Sequence, residues 1–160
     1  KTLGTPCLIH QPSYSMLNRW LEDDGLLDTT EELGLGVITF SPLAQGLLTD
    51  KYLDGVPEGS RATKGKSIRE GHLSKENLTR IRQLNGIAAQ RGQTLAQMAI
   101  AWVLRDKRVT SALIGARTLE QFDDSLLALD NLSFSADELR EIDVFAQEGG
   151  INIWANRSAR

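Results

Sequence analysis

Short runs of strand-forming residues alternate along this chain with longer stretches whose apolar residues recur every three or four positions. Residues 7–11 predict a first strand, residues 36–40 a second and residues 109–114 a third. Residues 17–34 give a broken helical stretch with a turn near Asp24-Gly25. Residues 74–91 predict a helix with Leu78, Ile81, Leu84 and Ala88 on one face, stopped by Gly92. Residues 94–105 predict another, burying Leu95, Met98, Ala99, Trp102 and Val103. Thr118 and Ser135 open two more helices, with Gln121 and Glu138 three residues on, the spacing of a capping box. In the first of these, residues 118–129, the pattern turns Leu119, Phe122, Leu126 and Leu129 inward. The second runs to about residue 147, and residues 149–160 form an irregular tail. Residues 54–71 show no apolar period, and a loop of that length is usually functional or disordered.

Strands alternating with helices call for a parallel sheet covered by helices. Three strands are few for that, because parallel strands are buried on both faces and the outer two have no partner here. The chain also opens at Lys1 without a Met. The expectation is a sequence entered part-way, its missing strands supplied by another part of the protein or another chain. An apolar content of 41% with 24% charged residues suits a soluble globular domain. A net charge of −3 is too balanced to point to nucleic acid or an anionic membrane. Apolar runs fall short of membrane-spanning length, and no signal-peptide pattern opens the sequence. With Cys7 as the one cysteine there is no intrachain disulfide, and a cytoplasmic setting is the default.

The chemistry concentrates at two strand ends. At Gly115-Ala116-Arg117-Thr118 a glycine, free helix N–H groups and a guanidinium come together, a combination suited to a phosphate dianion. The plainer alternatives are a solvated Arg117 and a Gln121 that only closes its capping box. Asp123-Asp124 read as surface charge near a helix start. Ser41-Pro42-Leu43, with Gly46 allowing close backbone approach, leaves the second strand toward a ligand or into an ordinary turn. Tyr14 offers a flat face to a planar ring, or packs. Lys51 and Arg61 bracket the long loop as a clamp for a polyanion, or as solvated cations. His10 and His72 lack companions at metal-ligand spacing, and His10 reads as a hydrogen-bonded core residue. No nucleophile–base pair emerges. Two strand-end loops, one of phosphate type, suggest a nucleotide at the top of an α/β barrel.

Three segments carry a resemblance. Gln11-Pro12-Ser13-Tyr14-Ser15-Met16-Leu17-Asn18-Arg19, then Ser41-Pro42-Leu43-Ala44-Gln45-Gly46-Leu47-Leu48-Thr49 with Lys51-Tyr52, then Ile114-Gly115-Ala116-Arg117-Thr118 with Glu120-Gln121 resemble, in order and spacing, the C-terminal half of the aldo-keto reductases. These are (β/α)8 TIM barrels using NADPH/NADP, and the resemblance covers essentially the whole chain. It implies an α/β fold of about three βα units plus terminal helices, completed by the N-terminal half of the same barrel. By the same resemblance Gln11 hydrogen-bonds the nicotinamide carboxamide and Tyr14 stacks on its ring. Ser41, Pro42, Leu43 and Gly46 line the pyrophosphate, with Lys51 and Arg61 clamping it. Gly115, Arg117 and Gln121 hold the adenosine 2′-phosphate and ribose. Asp124 and Ser125 lie near the adenine edge, although the family often has Asn where Ser125 stands. Trp154 in the tail lines the substrate mouth.

The family's catalytic Asp, Tyr, Lys and His sit on its first four strands, so no catalytic residue is assigned in this chain, and Tyr14, Tyr52, Lys51 and His72 are not drafted into that role. The implied activity of the full-length protein is NADPH-dependent reduction of a small aldehyde or ketone, with homo-oligomerisation left open. Leu8–Tyr14 and Ile151-Asn152-Ile153-Trp154 are most similar to the bacterial L-glyceraldehyde 3-phosphate reductase branch, itself similar to the potassium-channel β-subunits. Two rivals stand beside the enzyme: a regulatory NADPH-binding subunit of the channel-β type, and a folded piece without independent activity.

Overall fold

The computed structural model describes residues 4–56 and 70–152. Strands β1 (Ile9–His10), β2 (Gly36–Phe40) and β3 (Ser111–Leu113) form a parallel sheet in the order β1-β2-β3. Ile9 stands opposite Gly36, and Ile38 opposite Ser111. Between β1 and β2 lie α1 (Trp20–Asp23) and α2 (Leu26–Glu32), broken at Gly25 in a left-handed conformation. Helices α3 (Lys75–Gln90) and α4 (Leu95–Leu104) lead into β3, and α5 (Leu119–Leu126) and α6 (Ala136–Phe145) follow it. No helix among the described residues is long and apolar enough to cross a membrane.

Alternation along β2 decides where the core sits. Val37 and Thr39 are fully buried, whereas Gly36, Ile38 and Phe40 on the opposite face are only partly covered. The helices occupy the first face. Their apolar stripes meet there, with Ile81, Leu84 and Ala88 of α3 and Met98, Ala99, Trp102 and Val103 of α4 in one cluster with Met16, Leu17 and Leu21. α4 carries a reciprocal capping box, Thr94 with Gln97, as α6 does with Ser135 and Glu138.

The structure corrects several expectations. The first strand shrinks from residues 7–11 to Ile9–His10, and the third from 109–114 to Ser111–Leu113. Both are sheet edges paired on one side only, so the ladder ends early. His10 is half-buried at such an edge, not a core residue. The inward face expected for residues 118–129 points outward: Leu119 is 74% exposed, Leu129 55%, Leu126 44% and Phe122 43%. β3 is the last strand of the sheet, and among the described residues no element stands beyond it to receive that face. Leu8 and Ile9 at β1, and Leu33 at the end of α2, are likewise exposed.

A charged node ties the segment after β1 to α4 and α6. The Tyr14 hydroxyl donates to the Glu22 carboxylate. Arg19 grips the same carboxylate at 2.6 and 2.9 Å, and Arg105 Nη2 reaches it at 3.1 Å. Arg105 lies 3.7 Å from the Trp102 ring centroid and Arg19 5.1 Å. Arg19 also reaches Asp143 at 2.7 Å and the Ala146 carbonyl at 3.0 Å. Burial pushes the Glu22 pKa up, but the bonds from Arg19, Tyr14 and Arg105 outweigh it and hold the carboxyl below its ordinary 4.5. A depressed folded-state pKa gives stability that is present above the unfolded value and lost as pH falls through the folded one. Glu22→Gln is therefore expected to lose about 2 kcal/mol at neutral pH and to show a flatter decline of stability below pH 4.5. Urea unfolding from pH 3 to 7 checks this, and identical acid slopes for the two proteins would refute it.

Candidate functional site

β2 runs out into a turn in which four of the six residues from Ser41 to Gly46 have left-handed backbone. Ser41, Ala44, Gln45 and Gly46 have φ of 58°, 49°, 60° and 99°. Left-handed geometry is routine for Gly46, but places Cβ of the other three against backbone, costing about 1–2 kcal/mol each. Packing holds the turn in place, since Ala44, Leu47 and Leu48 are anchored in the core. Bonds from Ala44 N–H to Ser41 O (2.9 Å), Gly46 N–H to Leu43 O (2.8 Å) and Thr49 Oγ1 to Gly46 O (2.8 Å) close it. Gln45 Oε1 is buried with no hydrogen-bond donor among the described residues.

β3 ends in a second turn. Thr118 caps α5, its hydroxyl accepting from Gln121 N–H at 3.2 Å. The reciprocal half of the expected capping box is absent. Gln121 Oε1 instead accepts from the Arg117 N–H at 3.0 Å, one residue earlier, and so shapes the approach to the helix. The Arg117 side chain is exposed and pairs with no carboxylate among the described residues. Asp124 is turned toward α4, accepting from Gln97 Nε2 at 2.6 Å and Thr94 Oγ1 at 3.5 Å. Ser125 Oγ donates back to the Gln121 carbonyl at 2.8 Å.

Between these turns opens a cavity of about 840 Å³, floored by the first turn of α4. It brings together Ser41, Pro42, Leu43, Gly46, Lys51, Gly115, Arg117, Gln121, Asp124 and Ser125. A second hollow of about 710 Å³ lies around residues 105–108. Its arginines are already committed, Arg105 to Glu22 and Arg108 to Asp106 and Asp28, which leaves it little chemistry for a ligand.

Other expected site residues fall elsewhere. Tyr14 needs correction: it is 1% exposed, tilted against Trp102 at 5.2 Å, with its hydroxyl spent on Glu22 and Arg105. Burial drives that hydroxyl's pKa upward, Arg105 opposing and Glu22 adding. No ring face remains for a ligand. Gln11 is exposed at the end of β1, outside the cavity lining. Arg61 and Trp154 lie outside the described residues. Sequence reasoning missed Gln45, Thr49, Asp50, Asn85, Thr94 and Leu113 in the lining. The Thr94–Gln97 spacing was a legible signal for one of them, being that of a capping box.

Residues 1–147 match the model of the aldo/keto reductase family. L-glyceraldehyde 3-phosphate reductases from two Escherichia coli strains are 51% identical over 153 residues, 93% of this chain and 44% of theirs. A putative voltage-gated potassium channel subunit beta from Schizosaccharomyces pombe is 36% identical over 138 residues, 83% of this chain and 40% of its own. Among solved structures, the glycerol dehydrogenase AKR11B4 from Gluconobacter oxydans superimposes with a TM-score of 0.73 at 21% identity, over 90% of this chain and 43% of its own. The holo form of the aldo-keto reductase AKR11C1 from Bacillus halodurans gives 0.64 at 21% identity, over 89% and 44%. The chain thus spans less than half the length of the curated relatives it matches. Its three βα units have the fold of part of a (β/α)8 barrel.

The turn's strain gives a direct check. Gln45→Gly removes one left-handed side chain and the orphaned acceptor together, and is expected to raise stability by about 1 kcal/mol. The midpoint of urea unfolding at unchanged m-value measures it. A destabilised variant would show that Gln45 packing outweighs the strain.

Proposed function

The chain belongs to the aldo/keto reductase family, and from that premise we propose that it supplies most of an NADPH cradle in a protein that reduces small aldehydes or ketones. The observation that carries this reading is the shared cavity: the turns after β2 and β3, more than 60 residues apart in sequence, converge on it with Lys51 and Arg117 in its lining. The donor set suits a dinucleotide phosphate. Among the described residues Arg117 is an unspent guanidinium beside the start of an eight-residue helix, a combination that binds dianions. In the proposed arrangement it takes the 2′-phosphate, with Gln121 shaping its backbone, while residues 41–46 and Lys51 face the pyrophosphate. Tyr14 has no part in ring stacking, and Gln11 is kept only as a group near the sheet's end, where the carboxamide would lie.

NADPH, when bound, supplies the hydride. The residues of this chain bind and orient, which matters because transfer needs donor and acceptor carbons held in a narrow geometry. The proton donor, on this reading, belongs to earlier strands of the same barrel, which also cover the two open sheet edges. Glyceraldehyde 3-phosphate is the first substrate to try, because the reductases named for it are 51% identical, against 36% for the channel-subunit relative.

Fluorescence titration tests the cradle directly. Arg117→Ala is expected to weaken NADPH binding about tenfold to a hundredfold while leaving NADH almost unchanged, and high salt should reproduce part of the loss. Equal losses for both nucleotides would remove Arg117 from the 2′-phosphate. No binding of either by the unaltered protein would sink the cradle itself.

A further inference from the structure

We infer that Gln97, which lies behind the cavity's floor, is the positioning residue that sets the anion-binding end of α5, acting through Asp124. The inference deepens the cradle reading and rests on it only for the consequence on nucleotide affinity.

From Ile114 to Leu127 no side chain is buried, although this stretch carries Arg117 and Gln121. Apolar packing therefore does not orient it. Among the described residues, the side-chain hydrogen bonds that leave the stretch are both made by Asp124, to Gln97 Nε2 at 2.6 Å and to Thr94 Oγ1 at 3.5 Å. The shorter one joins a carboxylate to a residue that is 7% exposed, where water competes little. Gln97 is itself pinned, because its Oε1 accepts from the Thr94 N–H at 3.1 Å as half of the α4 capping box. One amide thus does two things: its oxygen closes the start of α4, and its nitrogen holds α5. The second grip lies one helical turn beyond Gln121, whose own side chain sets the Arg117 backbone. Asp124 is accordingly an anchor more than a ligand group.

The two roles separate in one substitution. Gln97→Glu keeps an acceptor for the Thr94 N–H, since Glu serves that position of a capping box as well as Gln. It replaces the donor with a second carboxylate facing Asp124. Amide hydrogen exchange on the full-length protein that carries this chain reads the result without any nucleotide. Exchange across α5 is expected to accelerate about tenfold while α4 stays protected, and Gln97→Glu with Asp124→Asn, which restores a donor–acceptor pair in reverse, is expected to return α5 to its original rate. NADPH affinity of the single variant is expected to fall about tenfold. Unchanged α5 exchange, equal acceleration of α4 and α5, or failure of the reversed pair to restore protection would each overturn the inference. Selective, reversible α5 exchange in a protein that binds no NADPH would uphold the positioning role and overturn the cradle.

Discussion

Because β1, β2 and β3 run parallel, no tight turn can join one to the next, and each connection has to climb back across the sheet through helices. Every strand therefore delivers its carboxyl end to the same rim. The two chemically loaded turns meet over one cavity for that reason, although their sequences have nothing to do with each other locally. The same constraint fixes what is left uncovered. A parallel strand is stable when flanked on both sides and covered on both faces, and among the described residues β1 and β3 are each paired on one side only. Leu8 and Ile9 at β1 and the leucines of α5, the helix that follows β3, are exposed.

α4 connects the rim to the foundation. Its first turn floors the cavity, its middle is buried on all sides, and its last turn feeds Arg105 into the Glu22 node. A rigid rod between those points explains how a strained turn at one end is tolerated. The left-handed residues Ser41, Ala44, Gln45 and Gly46 are held by core anchors that pack where α4 packs. Strain of this kind persists only where the surroundings over-determine the backbone. α5 is the opposite case, a helix with no buried face whose orientation rests on polar contacts.

Legibility followed the range of the interactions involved. The stripes of α3 and α4 were readable because a 3.6-residue period is written locally, and their ends agree with the structure to within a residue. The Thr118 and Ser135 caps were readable for the same reason, though only Ser135 forms the full box. The apolar stripe of α5 exists as its period predicts, but it faces outward. Periodicity says that a face wants burial, not that a partner is present. The partners that take up Tyr14 are Glu22 and Arg105, which stand 8 and 91 residues away. Nothing near it in sequence announces that its hydroxyl is already taken.

Local pattern was sufficient for the parallel α/β class, the order of elements and the two turns that carry glycine, hydroxyl and cation. Each of those follows from periods, caps and turn chemistry confined to a few neighbouring residues. Folding in three dimensions settled which candidates share a cavity, which way Gln121 and Asp124 turn, and that Tyr14 belongs to a charged node rather than to a ligand. Those outcomes depend on pairings between distant segments, whose energies are set by burial and geometry that no local pattern contains.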